Sequence, residues 1–290
     1  MTAQLDAFSE YRPLLFAVAY RMIGIVADAE DAVQETFLRW QRAVAAGEAI
    51  AAPKSWLTAV LTRWCIDHLR SARVRREAYV GPWLPEPLIT AAAPDPADSA
   101  ALTESLTLAF LVVLESLTPT ERAVFLLHDV FAYEFAEVAG IVGKSEANCR
   151  QLARRAREHI AERRPRHAPS PEERARLTAQ FIAACQQGDL PALVATLADD
   201  IILRSDGGGK ATAARRPLHG ADAVARFMLG IVAKAPPETV YRLATVNHQP
   251  GIIGLLDGQP FSVLTLDIAE GQVRAIAIVV NPDKLGHLGA

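Results

Sequence analysis

Cysteine is scarce in this chain: Cys65, Cys149 and Cys185 are the only three, they stand far apart, and no C-x-x-C pair occurs. That excludes a disulfide framework and a zinc knuckle, and it suits a reducing, cytoplasmic setting. Long apolar runs are also missing. No stretch approaches the roughly 18–20 uninterrupted apolar residues that a membrane span requires. The opening MTAQLDAFSEYRP has no basic start followed by an apolar stretch, so it does not read as a signal peptide. A global excess of positive charge is absent too, because the net charge is −3. General adhesion to polyanions is thereby excluded. No internal repeat is visible.

What is present is enough apolar material for several cores. With 290 residues, 51% of them hydrophobic, the chain can build two or three domains. Its arginines are gathered in two places. Arg63, Arg70, Arg73, Arg75 and Arg76 form one cluster, and Arg150, Arg154, Arg155, Arg157, Arg163, Arg164 and Arg166 form the other. Local patches of this kind on a slightly acidic chain point to contact with a polyanion at defined places.

The first part reads as helical. A helix is expected to begin after Pro13, and a second over Asp28–Trp40, with Ala29, Val33, Phe37 and Trp40 at three- and four-residue intervals. After the loop AAGEAIAAP, a third helix opens at Lys54 and Ser55, with Trp56, Leu57, Val60, Leu61 and Trp64 as its core stripe. The proline-rich stretch that follows predicts a linker over 78–99. A further helical block extends from about residue 100. The segment beyond 167 turns to alternating runs such as IILRS, FSVLTLDIA and QVRAIAIVV, preceded by two helices, which predicts an α+β domain. The division is therefore 1–77, the linker 78–99, 100–166 and 167–290.

The stretch LTPTERAVFLLHDVFAYEFAEVAGIVGKSEANCRQLARRAREHI is the most informative. Thr118-Pro119-Thr120-Glu121 supplies a cap, an early proline and an acidic first turn. A short helix over Tyr133–Val142, with Phe135, Val138, Ala139 and Val142 inward, is ended by Gly143. Ser145 then caps a longer helix with Cys149, Leu152, Ala153, Ala156 and Ile160 inward. Asn148, Arg150, Gln151, Arg154, Arg155 and Arg157 face out. Short helix, glycine turn and capped basic helix together predict a DNA-binding helix-turn-helix. Side chains near the start of the second helix reach base edges, and those further along hold phosphates.

These residues resemble region four of the bacterial sigma-70 family, in its extracytoplasmic-function (ECF) branch. The shared elements are the L-(S/T)-x-x-(E/Q)-R opening from Leu117 to Arg122, the E-V-A core and the terminal Arg155-Ala156-Arg157. Earlier in the chain, DAEDAVQETFLRW and KSWLTAVLTRWCIDHLRSARVRRE resemble region two. The resemblance implies that Lys144, Ser145, Asn148, Arg150, Gln151, Arg154 and Arg155 contact a −35 promoter element. It also implies that Asp28, Glu30, Asp31, Gln34, Glu35, Phe37 and Arg39 dock on the clamp helices of RNA polymerase core. Arg63, His68, Arg70, Arg73, Arg75 and Arg76 would track the opened −10 strand. By family analogy, the loop from Ala45 to Pro53 would wall a captured base. Trp56 and Trp64 are read as packing residues.

The third part resembles a SnoaL-like, ketosteroid-isomerase-like cone. The whole chain resembles the ECF group that carries three further motifs. Here these are Trp83-Leu84-Pro85-Glu86-Pro87, Asp206-Gly207-Gly208-Gly209-Lys210 and Asn281-Pro282-Asp283-Lys284-Leu285. The resemblance implies that the three form a regulatory contact surface between the extra domain and the sigma body. SDGGGK superficially suggests a phosphate-binding loop, yet no helix signal follows Lys210, so the glycines are read as permitting close backbone approach. Asp199, Asp200, His219, His248 and Asp267 are acid or base candidates by residue type alone, and no spacing makes them a dyad. No catalytic residue, metal or cofactor is expected. The expected function is a sigma factor regulated in cis, with polymerase core and promoter DNA as partners and a small ligand of the cone as a further partner that the fold allows. The alternatives are a stand-alone helix-turn-helix regulator, and a ligand-sensing or enzymatic SnoaL-like protein with a DNA-binding appendage.

Overall fold

The computed structural model describes residues 2–77, 79–90, 100–161 and 169–289. They form two compact units. Residues 2–77, 100–105 and 111–161 belong to the first, and 79–90, 106–110 and 169–289 to the second.

The first unit is helical. It contains α1 (Thr2–Ile23), α2 (Val26–Ala45), α3 (Pro53–Glu77) and α4 (Ala100–Glu104), with α5 (Leu108–Leu114) following. Then come α6 (Pro119–Phe125), a π-helical turn (Leu126–Val130), α7 (Phe135–Val142) and α8 (Glu146–Ala161). Pro13 lies inside α1 and does not start it. Proline in a helix interior costs about 3 kcal/mol. Tertiary packing offsets part of that, since Phe8 in the first half is buried against Phe37 with ring centroids 4.8 Å apart. On α3 the buried stripe is Leu57, Leu61, Cys65, Ile66 and Leu69, while Trp56, Val60 and Trp64 are only half-buried. The four-residue repeat from Leu57 through Leu61 to Cys65 sets the inward line. The tryptophans flank it, Trp56 edge-on to Trp40 at 5.7 Å and Trp64 stacked on His68 at 4.9 Å.

Two buried arginines join elements within this unit. Arg21 donates to Ser105 Oγ (2.8 Å), to the Leu102 carbonyl (2.9 Å) and to the Ala17 carbonyl (3.0 Å). Arg122 donates to the Met22 carbonyl (2.5 Å) and to Glu115 (2.7 Å). Burial pushes the Arg122 guanidinium down to about 9, which leaves it charged at neutral pH beside the Glu115 carboxylate.

The second unit is α+β, as expected. It starts with α9 (Pro171–Gln187), capped by Ser170 and ended by Gly188, and α10 (Leu190–Thr196), capped by Asp189. The strands are β1 (Leu197–Asp206), β2 (Leu218–His219), β3 (Val240–Val246), β4 (Gln249–Leu256), β5 (Gln259–Ala269) and β6 (Gln272–Val279), with α11 (Ala221–Lys234) before β3. They form one sheet in the order β2-β1-β6-β5-β4-β3, antiparallel except for the parallel β1–β6 pair. Register places Leu203, Ile276 and Leu266 in one row across it. Phe181, Leu193, Val224 and Met228 pack into the same core. Side chains therefore fill the space between helices and sheet.

Residues 79–90, expected within a linker, are folded into this second unit. Thr90 N–H donates to the Thr245 carbonyl (2.9 Å), and Ile89 bridges Val246 in antiparallel fashion. Extended backbone here satisfies its hydrogen bonds on the sheet edge, so the prolines do not leave it free. Residue 78, residues 91–99 and the boundary near 166 lie outside the described residues. Among the described residues, no helix is long and apolar enough to cross a membrane.

Candidate nucleic-acid interface

Thr118 caps α6 reciprocally with Glu121, each side chain bonding to the other's backbone N–H. α7 buries Val138 and Ile141, and packs Phe135, Ala139 and Val142 against the same core, so the expected inward set holds with Ile141 added. Gly143 then turns the chain with φ 68°. Ser145 Oγ accepts from Asn148 N–H at 3.3 Å and so opens α8. Cys149, Ala153, Ala156 and Ile160 are buried. Lys144, Asn148, Arg150, Gln151, Arg154, Arg155 and Arg157 are exposed on one basic face. Salt bridges on that face join Arg150 to Glu146 (2.9 Å) and Arg154 to Glu158 (2.8 Å). Such exposed pairs are weak enough to be exchanged for phosphates.

On α2, Asp31, Gln34 and Arg39 are exposed, beside the exposed Leu38. The other residues expected on this face are engaged within the unit. Asp28 pairs with His68 of α3 (3.1 Å), Glu30 with Arg12 (2.6 Å), and Phe37 with Phe8. Glu35 bonds Arg39 at 2.8 Å, which holds its carboxyl below the usual range. Of the expected −10 residues, Arg63 donates to the Ile141 carbonyl (2.9 Å) and the Gly140 carbonyl (2.8 Å) at the end of α7. Its guanidinium caps that helix within the unit. Arg70 pairs with Asp67 and is exposed. The side chains of Arg73, Arg75 and Arg76 lie outside the described residues.

The three short motifs converge inside the second unit. Asp206 is fully buried and accepts four hydrogen bonds. They come from Tyr79 Oη (2.6 Å), Leu84 N–H (2.8 Å), Gly208 N–H (3.1 Å) and Lys284 Nζ (2.8 Å). Lys284 also donates to the Leu84 carbonyl (2.5 Å), and its ammonium lies 4.2 Å from the Trp83 ring centroid. Burial, with the Asp206 carboxylate beside it, raises the Tyr79 phenol. Asn281 donates to Tyr79 Oη (2.9 Å) and accepts from Asp283 N–H (3.1 Å). Leu84, Pro85, Glu86 and Leu285 are buried. Lys210 pairs with Asp283 on the surface at 2.5 Å. A Cβ on Gly208 would collide with the Asn281 amide, and one on Gly207 with the Ala211 carbonyl. The glycines serve close approach, as expected. A groove of about 450 Å³ beside them is lined by Val80, Gly81, Lys210 and Arg215 among others.

Asn247, absent from the residues expected from sequence, is fully buried in the turn between β3 and β4 with φ 51°. It accepts from Leu88 N–H (2.8 Å) and donates to the Leu106 carbonyl (2.9 Å). The available signal was an Asn-His pair between two apolar runs, since asparagine tolerates the left-handed turn. The acid and base candidates are dispersed. Asp199 is exposed, and Asp200 pairs with Arg274. His219 and His248 lie at opposite edges of the sheet. Burial raises the Asp267 carboxyl, against a hydrogen bond from Gln249 and the nearby Arg174. Among the described residues, no group of three or more His, Cys, Asp or Glu is placed to hold a metal.

Comparison with known proteins matches this layout. The Sigma-70 region 2 family matches residues 7–75, and Sigma-70, region 4 matches residues 107–160. Over 293 residues the chain is 40% identical to the ECF RNA polymerase sigma factor SigJ of Mycobacterium tuberculosis, covering 97% of this chain and 93% of that protein. The chain belongs to the ECF RNA polymerase sigma factors. This sigma factor is also 34% identical over 288 residues to the probable ECF RNA polymerase sigma factor SigI of the same species, covering 98% of this chain and 95% of that protein. The crystal structure of SigJ superposes with a TM-score of 0.77 at 38% identity, covering 100% of this sigma factor and 99% of that chain. The likeness therefore extends through the carboxy-terminal unit as well as the two sigma regions.

Proposed function

We propose that this sigma factor binds RNA polymerase core through the exposed part of α2, centred on Asp31, Gln34 and Arg39. In this reading α8 engages the −35 element, and α3 with the loop between α2 and α3 handles the opened −10 strand. The observation that carries the reading is the capped helix-turn-helix, with an exposed face of Asn148, Arg150, Gln151, Arg154 and Arg155, in a chain whose family is settled along its length. The reaction chemistry is the polymerase's, and the sigma factor supplies promoter choice.

The carboxy-terminal unit acts in cis. Its support is the convergence of all three motifs on the buried Asp206–Lys284 pair, which fixes residues 79–90 between the two sigma regions in the chain. A segment fixed in this way limits how far the two DNA-binding modules can separate, so it can restrain or scaffold promoter engagement.

The test is transcription by purified core polymerase, with and without the full chain, on a pool of promoter fragments. Chain-dependent initiation from fragments sharing two spaced elements is expected. Failure of the chain to associate with core, or to direct any initiation, would sink the reading.

A further inference from the structure

The helix-turn-helix contains an irregularity that its function, as described so far, does not use. Between α6 and α7 the chain makes a π-turn over Leu126–Val130, marked by Phe131 N–H bonding back to the Leu126 carbonyl at 2.9 Å. Ala132 follows with φ 56°, a conformation that a residue with a Cβ adopts at a cost. A π-turn inserts one residue into the helical ladder, which rotates everything beyond it by about 100°. Within the turn itself lie His128 and Asp129; the first stacks on Phe135, beneath Arg150, and the second bonds Arg157.

His128 lies on the Phe135 ring with centroids 3.8 Å apart, held there by Nδ1 against the Tyr133 carbonyl at 2.8 Å. The guanidinium of Arg150 sits over Phe135, 5.1 Å from its centroid. Glu146, one turn earlier on α8, bonds the Arg150 guanidinium at 2.9 Å. Asp129 meanwhile accepts from Arg157 Nε at 2.6 Å. An exposed arginine carries large rotamer entropy, and each contact that fixes its plane before DNA arrives reduces what binding must order. A ring supports the guanidinium plane while leaving its edge donors free for a base or phosphate.

We propose that Phe135, backed by His128 on the π-turn, is a positioning residue that orients Arg150 for specific −35 recognition. This rests on the reading of α8 as the −35 helix. It adds a specificity determinant on α7, outside α8 itself. Phe135 is half-buried against the helix-turn-helix core and so reaches both worlds, the packed interior on one side and the arginine on the other.

The experiment uses holoenzyme reconstituted from core polymerase and the full chain, on fragments randomised over the −35 element, with sequencing of the bound fraction. Arg150→Ala is expected to flatten base preference at its positions. Phe135→Leu should flatten the same positions and lower affinity there about 2- to 5-fold, the scale of one exposed cation–π contact. The double variant should be no worse than Arg150→Ala alone, and Phe135→Tyr, which keeps the ring, should restore the preference. If Arg150→Ala flattens the preference while Phe135→Leu leaves it intact, the positioning role is overturned and the −35 reading survives. If Arg150→Ala itself changes nothing, Arg150 is no determinant and the positioning role falls, while the −35 reading rests on the other residues of the α8 face. Loss of affinity shared equally across all positions by Phe135→Leu, and not restored by Phe135→Tyr, would reduce Phe135 to a packing residue.

Discussion

Asp206 shows how one side chain gives three short motifs their shared purpose. A carboxylate with no exposure is tolerable only when its lone pairs are filled, and here four donors fill them. Two of those donors come from residues 79–84, so the acid that completes the domain's core also captures the segment. Lys284→Met leaves that carboxylate without its cation and should destabilise the protein by about 3–5 kcal/mol. Adding Asp206→Asn should recover part of the loss, and urea unfolding of the full chain measures both. The sequence displayed these residues only as motifs. Their partnership was illegible because a buried lysine and a buried aspartate 78 positions apart look like any surface charges. Asp267 gives a pH-dependent counterpart. Its carboxyl is raised by burial, so the folded state favours its protonated form. That contribution is complete below the ordinary carboxylate range and is lost as pH rises through the raised value. Asp267→Asn should therefore raise the urea midpoint at neutral pH, with the gain fading as the pH approaches about 4.

At the scale of elements, the sequence was most readable where structure is decided locally. The cap at Thr118, the stop at Gly143 and the cap at Ser145 each lie within a few residues of what they control, and all three are in place. The strand pattern beyond residue 197 was readable for the same reason, since alternation and turn residues are local. The π-turn was not, because it leaves no periodicity of its own. Pro13 misled in the opposite direction. Its local signal is to break a helix, and packing of the helix's first half, including the Phe8–Phe37 contact, offsets part of that cost. The exposed faces carry their own tests. Arg154→Ala and Arg155→Ala should each weaken holoenzyme binding to promoter DNA across sequences and reduce the salt slope by about one. On α2, Asp31→Ala and Gln34→Ala should weaken association with polymerase core several-fold without changing the melting temperature, because neither side chain is buried. Unchanged affinity in a pull-down titration would remove that face from the docking site.

For the whole molecule the decisive feature is how the chain is threaded. It leaves the first unit after α3, contributes residues 79–90 to the second, returns for α4, and again lends residues 106–110 before α6. Composition gave no access to this, since a proline-rich stretch reads as a spacer whether it hangs free or lies on a sheet edge. Threading puts two segments of the second unit, residues 79–90 and 106–110, on the covalent path between α3 and α6. A regulator on that path needs no binding equilibrium of its own, because its effective concentration is set by the tether. Asn247 is the most economical place to test this. Its side chain bonds to both lent segments, through Leu88 N–H and the Leu106 carbonyl. Asn247→Ala removes both bonds and should loosen 84–90 and 106–110 while the sheet core built around Phe181, Leu193 and Met228 stays folded. Hydrogen exchange should then rise in those two segments, and promoter output in the purified system should change several-fold. Faster exchange with unaltered output would mean that the lent segments only complete a fold, and that control in cis resides elsewhere in the chain.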